Sequence, residues 1–218
     1  MRIEWVCKKG TPGITVFFNG WGMDVHAVRH LEPEEDLLVL SDYRQPDTVG
    51  LPSLVTYDRI RVVAWSMGVW AAARMLPEWG IHPACTVAIN GTACPIHDAW
   101  GIPSRIYALT ERGMNIAGRE KFIRRMFANE EEIHRFLEHP IVRPIEEVCE
   151  ELTLIREQST ARLKAFPWNK VYVSSGDLIF PATNQQAYWN AQGIIPISLG
   201  GGHYPFYRFS AWEEILQL

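Results

Sequence analysis

Residues 61–70 read RVVAWSMGVW, an apolar β-branched run that leads into Ser66 and then into good helix formers. Gly68 follows the serine by two positions, and Ala64 stands where the pattern small-x-Ser-x-Gly usually has its first glycine. A nucleophilic serine on a tight strand-to-helix turn needs small neighbours, because the backbones pack closely there. We predict that Ser66 is such a nucleophile; the alternative is an ordinary serine at a helix N-terminus, which is common.

A nucleophilic serine needs a base, and residues 200–206, GGGHYPF, place His203 in a loop close to the C-terminus. Three glycines leave the backbone free to bring an imidazole over the edge of a sheet. We therefore predict His203 as the base, against the simpler interpretation of an ordinary loop histidine. His97 follows a predicted strand and remains a competitor. The remaining histidines have no comparable setting: His26, His30, His82, His134 and His139.

The third member of a serine triad is a carboxylate that fixes the histidine tautomer and supports its positive charge. Residues 174–181, SSGDLIFP, supply Asp177 at the end of a predicted strand. The order serine, aspartate, histidine is the one found in α/β-hydrolases. A turn aspartate is the alternative, since a Gly-Asp pair also suits a turn. Asp24 and Asp42 are fallback acids, but they precede the serine and would break this order.

A tetrahedral intermediate needs two N–H donors where its negative charge develops. We predict the backbone N–H of Met67, the residue after the nucleophile, as one donor. The second should come from the turn after an early strand, where residues 17–24 read FFNGWGMD. We assign it to the backbone N–H of Trp21. A plain glycine turn is the alternative, and it leaves the bulky aromatic residue between two glycines unexplained.

Continuous apolar runs alternate with helical stretches along the chain, which predicts an α/β fold with a mostly parallel sheet. The segment 112–166 is helical in pattern, strongly charged and poor in strand signals. We predict that it forms a helical cap inserted into a core made of residues 1–111 and 167–218. The predicted strands are Ile14–Phe18, Leu37–Leu40, Ile60–Ala64, Cys85–Ile89, Ile106–Leu109 and Val171–Ser174.

Composition narrows the class of protein. The chain has 218 residues, 47% hydrophobic residues and a formal net charge of −4, which suits one globular domain and argues against a nucleic-acid partner. No apolar run approaches the length of a membrane span, and no signal peptide is apparent, so we expect a cytoplasmic protein.

Four widely spaced cysteines favour reduced thiols over a disulfide framework. Cys85 or Cys94 would be a nucleophile only with a histidine nearby.

At these motifs the chain resembles the α/β-hydrolases that remove the methyl ester from pimeloyl-acyl carrier protein in biotin synthesis. The likeness is to the short BioG branch, through residues 17–24, 64–68, 90–92 and the Gly-His-Tyr-Pro loop. The related BioH branch usually has histidine where this chain has Asn19, which leaves the role of the Asn19 side chain open. The resemblance implies an ester on acyl carrier protein as substrate, a Ser-His-Asp mechanism with an acyl-serine intermediate, and no metal or organic cofactor.

Acyl carrier protein is acidic, so its docking surface should carry positive charge. Arg119, Lys121, Arg124 and Arg125 lie within seven residues of the predicted cap and are candidates for that surface. The simpler interpretation is a solvated helix of mixed charge.

The triad does not distinguish an ester from a thioester. The alternatives are therefore an acyl thioesterase or a general short-chain esterase on the same fold. A third alternative, from a different class, is a non-catalytic binding protein of hydrolase fold.

Overall fold

The computed structural model describes residues 1–45, 49–160 and 166–217. Within these ranges the chain folds around one seven-stranded sheet with strand order β1-β3-β2-β4-β5-β6-β7. The strands, in chain order, are β1 (Arg2–Cys7), β2 (Gly13–Phe18), β3 (Asp36–Ser41), β4 (Arg59–Trp65), β5 (Cys85–Ile89), β6 (Lys170–Ser174) and β7 (Ile197–Leu199). The helices are α1 (Met67–Glu78), α2 (Ser104–Gly113), α3 (Ile116–Met126), α4 (Glu130–Leu137), α5 (Ile145–Gln158), α6 (Ala182–Ala191) and α7 (Trp212–Gln217).

The sheet is parallel except at one edge, where β1 runs antiparallel to β3. Every residue of β2 and β3 is buried, as expected for central strands covered on both faces. The prediction of an α/β fold with a mostly parallel sheet is confirmed. Because the strands are parallel, the loops that leave their carboxyl ends share one edge of the sheet.

The strand predicted at Ile106–Leu109 is wrong, because these residues lie inside α2. Pro103 precedes this helix, and Tyr107 turns inward while Ile106 and Leu109 are 38% and 49% exposed. An apolar run of four residues cannot be assigned to a strand or a helix by periodicity alone. The helical region therefore begins at Ser104.

Two edge strands were not predicted. In β1, charged residues interrupt the apolar ones and every residue is only partly buried. The other is β7, which is three residues long and largely exposed at the opposite edge.

Four helices, α2 to α5, lie between β5 and β6 in the described part of the chain. The division into a core of 1–111 and 167–218 and a cap of 112–166 remains a prediction, and its residues 46–48, 161–165 and 218 fall outside the described ranges. No helix among the described residues is both long and apolar enough to cross a membrane.

Candidate active site

Ser66 sits on the turn between β4 and α1 with a backbone conformation that L-residues rarely adopt, φ 59° and ψ −125°. Such a conformation costs on the order of 1–3 kcal/mol and persists only when its surroundings enforce it. Here the Ser66 N–H donates to the Ile89 carbonyl at 2.9 Å. A Cβ at Gly68 would lie 2.1 Å from the Phe18 carbonyl oxygen, and one at Gly91 would lie 2.3 Å from the Ser66 carbonyl oxygen. Only glycine fits at either position.

The structure brings Ser66, His203 and Asp177 together in a hydrogen-bonded row. His203 Nε2 lies 2.9 Å from Ser66 Oγ, and His203 Nδ1 lies 2.8 Å from Asp177 Oδ2. All three residues are buried. Because an ionised carboxylate only accepts hydrogen bonds, Nδ1 carries the proton and Nε2 is left to accept from the serine hydroxyl. This arrangement can take the proton of Ser66 as its oxygen becomes a nucleophile.

Asp177 is held by donors on both of its oxygens. Oδ1 accepts the backbone N–H groups of Ile179 at 2.8 Å and Phe180 at 2.9 Å. Oδ2 accepts Gln185 Nε2 at 3.0 Å in addition to the His203 ring. Gln185 is fully buried on α6, and sequence reasoning missed it because a glutamine in a polar helix carries no distinguishing signal. These donors fix the orientation of the carboxylate.

The His203 backbone is fixed from two directions. Asn90 Nδ2 and the indole Nε1 of Trp65 each donate to the His203 carbonyl at 2.9 Å. Phe180 stacks on the imidazole, with ring centroids 6.1 Å apart and planes 9° apart. Asn90 lies directly after β5 and has a positive φ of 47°. In the sequence it belongs to the motifs of the family resemblance, with no role predicted for it. Its position after a buried strand is the signal that could have identified it.

Residues 19–24, which we call the β2 loop, follow β2 and lie against Ser66. A Cβ at Gly20 would lie 3.4 Å from the Ser66 Cβ. The Asn19 side chain, whose role the sequence left open, closes the loop: its Nδ2 donates to the Asp24 carbonyl at 2.8 Å and its Oδ1 accepts the Gly20 N–H at 2.9 Å. Over the described ranges, no protein acceptor is bonded to the Trp21 backbone N–H.

Met67 is the first residue of α1, and the first N–H groups of a helix have no acceptor within it. Both predicted donors, the N–H groups of Trp21 and Met67, therefore belong to backbone segments beside the serine.

A pocket opens over the serine, between the sheet edge and helices α2, α3 and α5. Ser66, His203, Trp21 and Met67 form its floor. Its walls are mostly apolar, and Arg125 is the charged exception among the described lining residues. The apolar part of the wall comes from Ile102, Ile106, Tyr107, Met126, Leu152 and Ile179. The lining is apolar in character, and the space that it encloses in this structure is about 30 Å³.

The competing residues lie elsewhere. His97 is exposed and stacks on Trp100, with ring centroids 4.8 Å apart. Asp24 accepts from the His26 N–H, and Asp42 pairs with Arg44. Cys94 is a free thiol whose pKa is raised by burial, which disfavours the reactive thiolate.

Cys85 is also a free thiol, at the start of β5. Among the described residues, no group of three or more His, Cys, Asp or Glu side chains is placed to hold a metal ion.

The candidate docking residues of α3 divide into two kinds. Arg119 and Arg125 donate to backbone carbonyls, those of Arg143 and Leu178, each at 2.7 Å; Arg119 is partly buried, whereas Arg125 is exposed. Arg124 is exposed and pairs with the exposed Glu130 at 3.1 Å. Lys121 lines an open groove between α2 and α3 that also contains Arg125. Lys121, Arg124 and Arg125 are therefore all exposed, and only Arg124 among these three has its charge paired with a carboxylate of the described residues.

Comparison with known proteins identifies the family and the fold. The family described as "Pimeloyl-ACP methyl esterase BioG" matches residues 1–215. The crystal structure of BioG from Haemophilus influenzae superposes with a TM-score of 0.90 at 34% identity, covering 99% of this chain and 100% of that one. An α/β-hydrolase fold protein from Burkholderia ambifaria superposes with a TM-score of 0.65 at 18% identity, over 99% of this chain and 92% of that one, which shows the shared fold.

Among curated proteins, the chain is 42% identical over 191 residues to a malonyl-[acyl-carrier protein] O-methyltransferase from Bacteroides fragilis. The match takes in 87% of this chain but only 39% of that relative's length. An uncharacterised protein from H. influenzae is 37% identical over 206 residues, which is 93% of each chain. With an α/β-hydrolase fold and a match along nearly its whole length, the chain belongs to the pimeloyl-ACP methyl esterase family BioG.

Proposed function

We propose that this chain is a serine carboxylesterase that hydrolyses the methyl ester of pimeloyl-acyl carrier protein, with Ser66 as nucleophile, His203 as base and Asp177 as the supporting carboxylate. The observation that carries the proposal is the continuous row from Asp177 through His203 to Ser66, with contacts of 2.8 and 2.9 Å. Its serine stands on a strained turn at the floor of an apolar pocket. Family membership supplies the substrate class.

The reaction follows from these positions in two halves. Ser66 Oγ attacks the ester carbonyl while His203 Nε2 takes its proton, and the N–H groups of Trp21 and Met67 stabilise the negative oxygen. The intermediate collapses as His203 returns the proton to the departing methoxy group, which leaves as methanol. Water, deprotonated by His203, then attacks the acyl-serine and releases the free carboxylate and Ser66. Each step uses groups of this chain, the substrate and water.

Acyl carrier protein is the proposed partner. Both the family description and the name of the B. fragilis relative refer to acyl groups on a carrier protein. That relative is more than twice as long as the matched segment, so its methyltransferase name describes the longer protein. The exposed Lys121, which lines the groove between α2 and α3, and the exposed Arg124 on the same helix would face the acidic carrier. A substrate of this kind would place the chain in the cytoplasm.

The first experiment measures methanol release from pimeloyl-acyl carrier protein methyl ester by the wild-type chain, Ser66→Ala and His203→Ala. We expect each substitution to lower the rate by about 10³-fold or more, since members of a triad act as a unit. Mass spectrometry of the carrier should show the thioester intact. Ser53→Ala and His82→Ala, at exposed positions, are the matched controls and should keep full activity.

Three outcomes would redirect the proposal. Release of free carrier protein instead of methanol would make the chain an acyl thioesterase. No reaction with this substrate, but Ser66-dependent cleavage of a p-nitrophenyl ester, would keep the triad and replace the substrate with a short-chain ester. A protein that neither cleaves these substrates nor reacts with a fluorophosphonate probe would be a binding protein.

A further inference from the structure

Glu151, on the inner face of α5, is fully buried and bonded to two loops of the sheet edge. Its Oε2 accepts the backbone N–H of Gly22, in the β2 loop, at 3.2 Å. Its Oε1 accepts the backbone N–H of Tyr43, which follows β3, at 2.9 Å. One carboxylate thereby joins α5 to the β2 loop, which carries Trp21, and to the loop that follows β3.

Trp21 itself is bound to the same helix. Its indole Nε1 donates to the Val148 carbonyl at 2.9 Å, about one turn before Glu151 on α5. Its ring also meets Phe122 of α3 edge-on, with centroids 4.9 Å apart. The side chain of Trp21 and the peptide that follows it are therefore both fixed by α5, which leaves little freedom for the direction of the Trp21 backbone N–H.

The charge on Glu151 is balanced by Arg143. Arg143 Nη1 lies 2.6 Å from Glu151 Oε2, and both side chains are 0% exposed. Burial raises the pKa of the Glu151 carboxyl, and the nearby Arg143 guanidinium opposes that rise. A buried ion pair is often no more stabilising than apolar side chains of similar volume, because both charges lose their hydration. Stability alone is therefore a weak reason for this pair. Three donors converge on the Glu151 carboxylate, which favours a role in orienting the segments that carry them.

We propose that Glu151, held by Arg143, is a positioning residue that aims the Trp21 N–H at the oxyanion of the tetrahedral intermediate. The proposal rests on the proposed serine mechanism and deepens it. Glu151 acts through the β2 loop and does not touch the reacting atoms. Preorganised donors stabilise a transition state because they need no reorientation as charge develops. A β2 loop released from α5 would bind the ground state as before but would stabilise the oxyanion less.

Glu151→Gln tests this assignment, because glutamine has one acceptor oxygen where three donors converge: Gly22 N–H, Tyr43 N–H and Arg143. We measure acylation of Ser66 by p-nitrophenyl acetate, which does not depend on the carrier-bound substrate. The expected result is a kcat about tenfold lower, a barrier change of about 1.4 kcal/mol, with KM within about twofold of wild type. Affinity for a trifluoromethyl ketone, whose adduct with Ser66 carries an oxyanion, should fall by the same factor. Affinity for the alcohol of the same carbon skeleton, which forms no adduct and no oxyanion, should not change.

Asp42→Asn is the matched control. Asp42 also pairs with Arg143, at 3.1 Å, but has no hydrogen bond to the β2 loop among the described residues. Its φ of 60° is one that asparagine tolerates, so the backbone should hold. We expect a lower melting temperature with unchanged kcat and ketone affinity. If Glu151→Gln does not fold, Arg143→Met/Glu151→Leu removes both charges at similar volume and should show the same selective loss.

Equal losses of kcat in Glu151→Gln and Asp42→Asn, or a rise in KM alone, would overturn the positioning role. So would ketone and alcohol affinities that fall together. Failure of the proposed function would give a different result. In the first case, the p-nitrophenyl ester would not acylate the wild-type chain at Ser66. In the second case, Ser66 would be acylated but the carrier-bound methyl ester would stay intact. In the second case the comparison between Glu151→Gln and Asp42→Asn still decides the role of Glu151.

Discussion

The two sides of Ser66 are supported by different parts of the molecule. On one side, Asp177 and His203 are held by side chains that come from the sheet and α6, among them Asn90 and Gln185. On the other, the β2 loop is held by α5, through Glu151 and the Val148 carbonyl. The separation is not complete. The Tyr204 N–H donates to the Met126 carbonyl at the end of α3. The β2 loop is also held from the sheet, where the Tyr43 hydroxyl donates to the Asn19 carbonyl and the Asn19 N–H donates to the Leu40 carbonyl.

This difference separates two tasks of a hydrolase. The proposed proton-transfer groups are held by residues of the sheet, of the loops that leave it and of α6. The proposed oxyanion donor at Trp21 depends on the helical segment being in place over the pocket. A change in the position of α5 would therefore alter stabilisation of the intermediate before it altered the Ser66–His203 contact.

The largest effect should come from the sheet-supported side. Asp177→Asn should lower kcat about 10⁴-fold, because an amide in place of the carboxylate favours the wrong tautomer of His203. Ester hydrolysis by stopped assay measures it, and the exposed Asp58→Asn is the control. A loss below tenfold would mean that another group orients His203, and the two sides would no longer differ as described.

A smaller effect should come from the helix-supported side. Trp21→Phe keeps an aromatic ring but removes the hydrogen bond to Val148, worth about 1 kcal/mol, so we expect kcat to fall about fivefold with KM unchanged. Trp5→Phe, on the edge strand β1, is the matched control. If Trp21→Phe is silent, the link from Trp21 to α5 has no part in the chemistry and the β2 loop is set by the sheet alone.

The smallest effect should come from the outer face of the helical segment. Lys121→Ala/Arg124→Ala should raise KM for the carrier-bound substrate about threefold at low salt, since peripheral charges mainly steer association. A small ester should be cleaved at the wild-type rate, and Lys8→Ala should change neither value. Arg119 and Arg125 are left intact because both bond to backbone carbonyls. Equal losses on both substrates would assign these charges to folding instead of docking.

The sequence was most informative where the chain is buried and continuous. The central strands follow from apolar runs, whereas β1 and β7 are edge strands whose mixed or short sequences resemble loops. The grouping of Ser66, Asp177 and His203 follows from chain order and from the position of each after a predicted strand. Their roles remain predictions that the hydrogen-bonded row supports.

Other parts of the site could not be predicted from one sequence. Glu151 stands among Glu146, Glu147 and Glu150 in a helix rich in acidic residues, and only the packing of α5 on the β2 loop distinguishes it. Gln185 likewise depends on a contact between α6 and the loop after β6. Such contacts join segments far apart in the chain, and no local pattern records them.

The strained turn at Ser66 has a consequence for how such a protein evolves. A residue with φ 59° and ψ −125° would be relieved by glycine, which adopts positive φ without a steric penalty. Ser66→Gly would therefore relieve the strained turn while it removed the proposed nucleophile. If Ser66 is the nucleophile, selection for activity would have to remove each glycine substitution at this position. In a lineage that obtains the same product from elsewhere, selection against Ser66→Gly would be relaxed.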